Sequence, residues 1–99
     1  TLTEAESGSV HTNKGASGAI TISLPSAPSE GVHFTFCVVA AQELRIDPGD
    51  NDKIYANGIS AADGKYIVAD AQGEAITLIA NSDGDWYTCN QIGTWTRET

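Results

Sequence analysis

The chain has little charge, and most of what it has is of one sign. Charged residues make up 18% of its 99 positions, below the usual ~25% of a globular domain. Five of them are basic, and these are scattered: Lys14, Arg45, Lys53, Lys65 and Arg97. No basic stripe exists to neutralise phosphates, which argues against nucleic acid as a partner. Thirteen acids leave a net charge of −8, and such a surface is repelled by anionic lipid. No apolar run approaches the ~18 residues of a spanning helix. No basic-then-apolar opening marks a secretory signal. Thr1 fits either a start from which an initiator Met was removed or a trimmed chain.

Catalytic and metal-binding patterns are also missing. There is no G-x-S-x-G elbow, no phosphate-cradling glycine loop and no H-E-x-x-H helix. The only histidines are His11 and His33, each in a strand-like stretch, and the expectation is that they are strand residues with satisfied ring nitrogens. A small hydrolase built on them is a third functional class, since a triad assembles across a fold. The two cysteines, Cys37 and Cys89, lie inside apolar runs and outside any Cys-x-x-Cys or Cys/His cluster. They read as buried reduced thiols, as an inter-strand disulfide or as a reactive thiol, and nothing demands an oxidising compartment.

What the chain does have is rhythm. Short apolar runs are cut by Gly, Asp, Asn or Pro roughly every eight to twelve residues, the punctuation of an all-β domain. Residues 19–24 alternate Ile20, Ile22 and Leu24 with small or polar partners, one buried face and one polar face. Pro25 and Pro28 then break the ladder. Residues 32–40 place Phe34, Phe36 and Val38 on one face and are expected to form the central strand. Further strands are expected near Val10, at residues 44–46, 54–56, 65–69, 74–80 and 85–89, and in the closing stretch 92–96. Asn57-Gly58 and Asp83-Gly84 carry hairpin signals. A short helical turn near residues 40–43 is the one helical candidate.

The expected architecture is a single domain over residues 1–99, all-β: a small antiparallel β-sandwich or barrel-like domain of about eight or nine short strands. A domain this small buries only roughly 60–65% of its unfolded surface. Phe34, Phe36, Trp86 and Trp95 are the expected core anchors, because aromatic side chains bury the largest areas. The acidic loop Asp47-Pro48-Gly49-Asp50-Asn51-Asp52 reads as a solvated turn or a weak cation site, with a spacing unlike the calcium loop of helix-loop-helix proteins. Residues 1–7 are small and polar, and Thr1, Leu2, Thr3 and Glu4 are candidates for an arm that contacts a partner. A frayed terminus is the other reading.

The landmarks also come in a particular order. Gly8 is followed by Asn13-Lys14-Gly15-Ala16, an alternating strand ending in Leu24-Pro25, and Phe34-Thr35-Phe36. Then come Ala40-Ala41, Leu44-Arg45-Ile46-Asp47-Pro48, Asp52-Lys53-Ile54, Gly64, Gly73, Thr77-Leu78, Trp86 and Gly93-Thr94-Trp95. In this series, which covers nearly the whole chain, the sequence resembles a small all-β domain of tailed-bacteriophage virion proteins. The resemblance implies a non-enzymatic structural protein without cofactor or metal. The expected role is a capsid decoration (cement) protein that binds the outer surface of a phage head and stabilises it. Its expected partners are the major capsid protein and copies of itself in a homotrimer, with no nucleic acid and no membrane. The expected location is the capsid surface of the virion, after assembly in the host cytoplasm. The alternative is a head or tail fibre domain that binds a host-surface glycan or receptor, for which Tyr55, Tyr66 and Tyr87 are the candidate contacts.

Overall fold

In a computed structural model, which describes residues 1–57 and 59–98, two mixed β-sheets form a sandwich-like all-β fold. The strands are β1 (Val10–Thr12), β2 (Ile20–Ser23), β3 (His33–Cys37), β4 (Leu44–Asp47), β5 (Ile54–Tyr55), β6 (Ile67–Ala69), β7 (Ala75–Ala80), β8 (Trp86–Ile92) and β9 (Thr96–Arg97). One sheet has the order β1-β3-β7-β8-β5 and the other β2-β4-β6-β9. The Asn57-Gly58 turn expected from the sequence falls on Gly58, outside the described residues.

Alternation along each strand decides which side chains meet. Phe34, Phe36, Leu78 and Trp86 from the five-stranded sheet are fully buried, as are Leu44 and Ile46 from the four-stranded one. Each such side chain contributes roughly 1.5–3 kcal/mol by leaving water. Phe34 lies 5.9 Å from Trp86 and 6.4 Å from Phe36, centroid to centroid. Trp95 is 2% exposed, and its indole N–H donates to the Ala75 carbonyl at 3.1 Å.

The connectivity is less regular than the punctuation. Among the described residues, β7 and β8 are joined within one sheet, and every other pair of consecutive strands lies in different sheets. Two successive crossings reverse the chain twice, so β1 runs parallel to β3 and β2 parallel to β4. β5 is parallel to β8. The sheets are therefore mixed rather than purely antiparallel. Gly and Pro mark where a strand stops but not which sheet receives the next one. The stretch expected as the central strand forms β3, beside the edge strand β1, and the centre of its sheet is β7.

The β7–β8 turn follows its Asp-Gly signal. Gly84 adopts φ +84°, a left-handed conformation that glycine takes without strain, and its N–H donates to the Asn81 carbonyl at 3.0 Å. Past the turn, Leu78 pairs with Thr88 but Thr77 pairs with Asn90. Cys89 is the extra residue of a β-bulge.

Two stretches differ from expectation. Residues 40–43 form no helical turn. They are held as a bend by Asn13, which is 1% exposed. Its amide nitrogen donates to the carbonyls of Ala40 (3.0 Å) and Gln42 (3.1 Å), and its oxygen accepts the N–H groups of Val39 (2.7 Å) and Ala40 (2.9 Å). The N-terminal residues do not reach outward as an arm. Leu2 is 8% exposed and packs into the core, and its N–H donates to the Ser23 carbonyl at 2.8 Å. Burial of that one apolar side chain draws the segment down. Glu4 then accepts the Ser29 N–H at 2.9 Å, at the start of a 3₁₀ turn over Glu4–Glu6.

Candidate interaction face

The outward side of the five-stranded sheet is a surface without charge. Register aligns its side chains in three cross-strand rows. His33, Ile79, Tyr87 and Tyr55 form one. Val10, Thr35, Thr77 and Asn90 form the second, and Thr12, Cys37, Ala75 and Ile92 the third. None of the twelve is Asp, Glu, Lys or Arg. The large hydrophobic side chains that stand exposed among the described residues are Val10 (62%), Tyr55 (39%) and Ile92 (56%), and all three lie in these rows. In the middle row the hydroxyls of Thr35 and Thr77 are 2.9 Å apart, which satisfies both across the strands.

At one edge of this face Tyr55 and Tyr87 stack with centroids 4.7 Å apart and planes 9° from parallel. The Tyr87 hydroxyl donates to the Asp83 carboxylate at 2.6 Å. That bond, reinforced by partial desolvation and the carboxylate charge, pushes the phenol up to about 12 and holds Asp83 below the usual carboxylate range. Asp83, a charge at the rim of the face, is therefore already engaged.

The outward side of the four-stranded sheet is different. Thr21, Arg45, Val68 and Thr96 form its central row, and Asp47 sits beside Ser23. Arg45 pairs with Glu43 at 2.6 Å, and its guanidinium lies 5.1 Å from the centre of the Tyr66 ring. Desolvation, with help from Glu98 and Asp50, raises the Asp47 carboxyl above its ordinary value.

The structure disperses the sequence's other candidates. His11 points inward against Phe36, with ring centroids 5.9 Å apart, and bonds Ser9 Oγ at 2.7 Å. His33 stands on the outer face of the same sheet with Nδ1 3.1 Å from the Gly31 carbonyl. The two rings lie on opposite sides of the sheet and share no site. Cys37 and Cys89 are free thiols on strands separated by β7; Cys37 is half-buried and Cys89 exposed, so the reading of two buried thiols does not hold. The bulge explains why, since it lifts Cys89 out of the alternation. Tyr66 lies just before β6 of the other sheet, beneath the Arg45 guanidinium, and does not join Tyr55 and Tyr87.

The acidic loop lines an open cleft of about 480 Å³ with Ser26 and Ala27. Its most buried carboxylate, Asp52, is 6% exposed and accepts the N–H of Ala27 at 2.9 Å, fixing that residue at φ +45°. Gly49 leaves the room for this, because a Cβ there would come within 2.6 Å of Ser26 Oγ and 2.8 Å of Asp52 Oδ2. Among the described residues, no group of three or more His, Cys, Asp or Glu side chains is placed to hold a metal ion.

No family model matches the chain, and no curated protein matches it. Among the described residues, no helix is long and apolar enough to cross a membrane.

The uncharged face was not singled out from the sequence. Its signal was present, because the outward positions of β3 and β7 are His33, Thr35, Cys37, Ala75, Thr77 and Ile79. What was missing was the order of strands, which alone turns separate alternations into a continuous surface.

Proposed function

We propose that the protein is a structural component of a tailed-phage virion, a head decoration protein that packs on the outer surface of the capsid and on copies of itself. The observation that carries this reading is the uncharged outer face of the five-stranded sheet. Hydroxyl, amide, aromatic and aliphatic groups cost little to desolvate compared with ions, and the exposed large hydrophobics Val10, Tyr55 and Ile92 all stand on this face. The order of glycine, proline and tryptophan landmarks, with its resemblance to phage virion domains, supports the choice of partner. The work is done by stapling and not by catalysis. A protein that binds the assembled shell and not its separated subunits stabilises the shell by mass action.

The test uses purified shells that lack a decoration protein. With added protein, their melting temperature rises and the protein sediments with them. Unchanged melting together with no co-sedimentation rejects the reading. One observation favours the alternative, a fibre domain that binds a host-surface glycan: the flat, partly exposed Tyr55–Tyr87 stack at the sheet edge. A glycan array without signal rejects that alternative.

A further inference from the structure

We infer that the uncharged face of the five-stranded sheet is a self-pairing surface, on which two copies of this chain meet face to face about a two-fold axis. The inference rests on the virion reading's claim that the protein packs on copies of itself. It gives the uncharged face to that self-contact, leaves the capsid contact to another surface, and puts a two-fold pair in place of the homotrimer that the resemblance implies.

The first argument is electrostatic. Each chain carries a net charge of −8, so two copies repel wherever their acids face one another. The three rows contain no Asp, Glu, Lys or Arg, and with His33 neutral at pH 7 two copies can approach there without opposing like charges. The second argument is symmetry. A two-fold contact brings the same patch from both partners together. A charged patch meets its own sign under that operation, whereas a neutral patch of threonine, tyrosine and aliphatic groups is self-complementary. The third is that Val10, Tyr55 and Ile92, the exposed large hydrophobics, all lie on this face and on no other described surface.

The area sets the strength. Five strands at ~4.8 Å spacing and about five residues at ~3.3 Å rise give a footprint of at most roughly 400 Å² per copy, since β1 and β5 are shorter than that. A standard interface buries ~800 Å² per partner. Pairing is therefore weak and concentration-dependent, suited to copies held close together. Because the opposing force is net-charge repulsion, added salt screens it and strengthens the pair. A partner held by opposite charge would be released by salt.

Sedimentation equilibrium across a concentration series, at low and high salt, tests this. The expected mass rises from that of one 10.3 kDa chain toward twice that value, at lower concentration when salt is high. Val10→Asp and Ile92→Asp, at positions 62% and 56% exposed, each weaken pairing by about tenfold or more, since each buries two carboxylates, one from either copy, in a contact that holds no counter-charge. Asn90→Asp, on the middle row, changes charge with almost no change in size and acts the same way. Thr21→Asp, on the outer face of the other sheet, leaves pairing unchanged. Melting curves of each variant show that it folds.

A chain that stays a monomer at every concentration in high salt overturns the proposal. So does a Thr21→Asp variant that disrupts pairing as strongly as the face variants, or an assembly of three chains indifferent to Val10 and Ile92. The shell-binding experiment separates the two claims. A monomer whose shell binding is lost with Ile92→Asp means that the face serves a capsid subunit and self-pairing is wrong. Pairing without any shell binding leaves the self-pairing and removes the virion role.

Discussion

On the five-stranded sheet the outward positions read Thr35, Thr77, Ile79 and Tyr87, while on the four-stranded sheet they read Thr21, Arg45, Asp47 and Val68. Both sheets cover the same core, and both belong to a chain with a strong excess of acid. The difference shows where the acids have gone. Apart from Asp47, on the outward side of β4, they are rim and loop residues, and seven of the thirteen accept backbone N–H groups: Glu4, Glu6, Asp52, Glu74, Asp83, Asp85 and Glu98. Glu74 takes two, from Ala71 at 2.9 Å and Thr94 at 2.7 Å. Asp85 takes the Lys53 N–H at 2.8 Å and so helps fasten β5 beside β8. The acidity is as much a set of loop fastenings as a repulsive skin, and it leaves one broad face free of ions.

The largest expected effect erases the contrast by removing what both faces rest on. Phe36→Ala empties a fully buried site and should cost about 3–5 kcal/mol in urea unfolding. Asn13→Ala comes next. It strips partners from four buried or half-buried backbone groups, and about 3 kcal/mol is expected by the same measurement. Asn90→Ala, an exposed amide on the uncharged face, should fall within roughly 0.5 kcal/mol. A loss at position 90 equal to that at 13 would mean that the face itself holds the fold together.

Smaller effects sharpen the contrast at its edges. Asp83→Asn removes the anionic acceptor of the Tyr87 hydroxyl, and an absorbance titration should find the phenol returning from about 12 toward 10.0. If the titration does not move, the rim charge is not engaged as described. pH separates the acids by sign. Glu6 and Asp83 lie below their ordinary values because of hydrogen bonds from Thr3 and Tyr87. Their support is complete above the unfolded value and is lost as pH falls through the folded one. Asp47 lies above its ordinary value of 3.8, so its ionised form opposes folding at neutral pH and the opposition fades on acidification. Asp47→Asn should therefore raise the melting temperature slightly at pH 7 and leave it unchanged at a pH below the carboxylate range. A fall at pH 7 would reverse the assignment.

How much of this was legible beforehand follows from which interactions are local. The strands, the β7–β8 turn and the burial of Phe34 and Leu78 rest on period-two alternation and on Asp83-Gly84, all visible within a few residues. Asn13 looked like one more turn residue, since its partners lie 26 to 29 positions away. Asp52 looked like solvent-facing acid until its partner at Ala27 was in place. Leu2 carried the only apolar signal in the first four residues, and its docking beside Ser23 depends on a strand reached later in the chain. The uncharged face needed the order β1-β3-β7-β8-β5, which no local pattern encodes.

The crossing connectivity also has a kinetic meaning. The β7–β8 hairpin can close within one short loop, but β1 must wait for β3, and β5 for β8, each after the chain has passed through the other sheet. Folds dominated by such distant pairings form in milliseconds to seconds, well behind helical bundles of similar size. The hairpin is then the natural seed, and the edge strands join late. Until they do, β3 and β8 each keep one flank of backbone groups unpaired. A newly made chain therefore passes through a slow interval in which it is open to mispairing, and residues in the Asn81–Asp85 turn should slow refolding when altered, while changes in β1 should mainly speed unfolding.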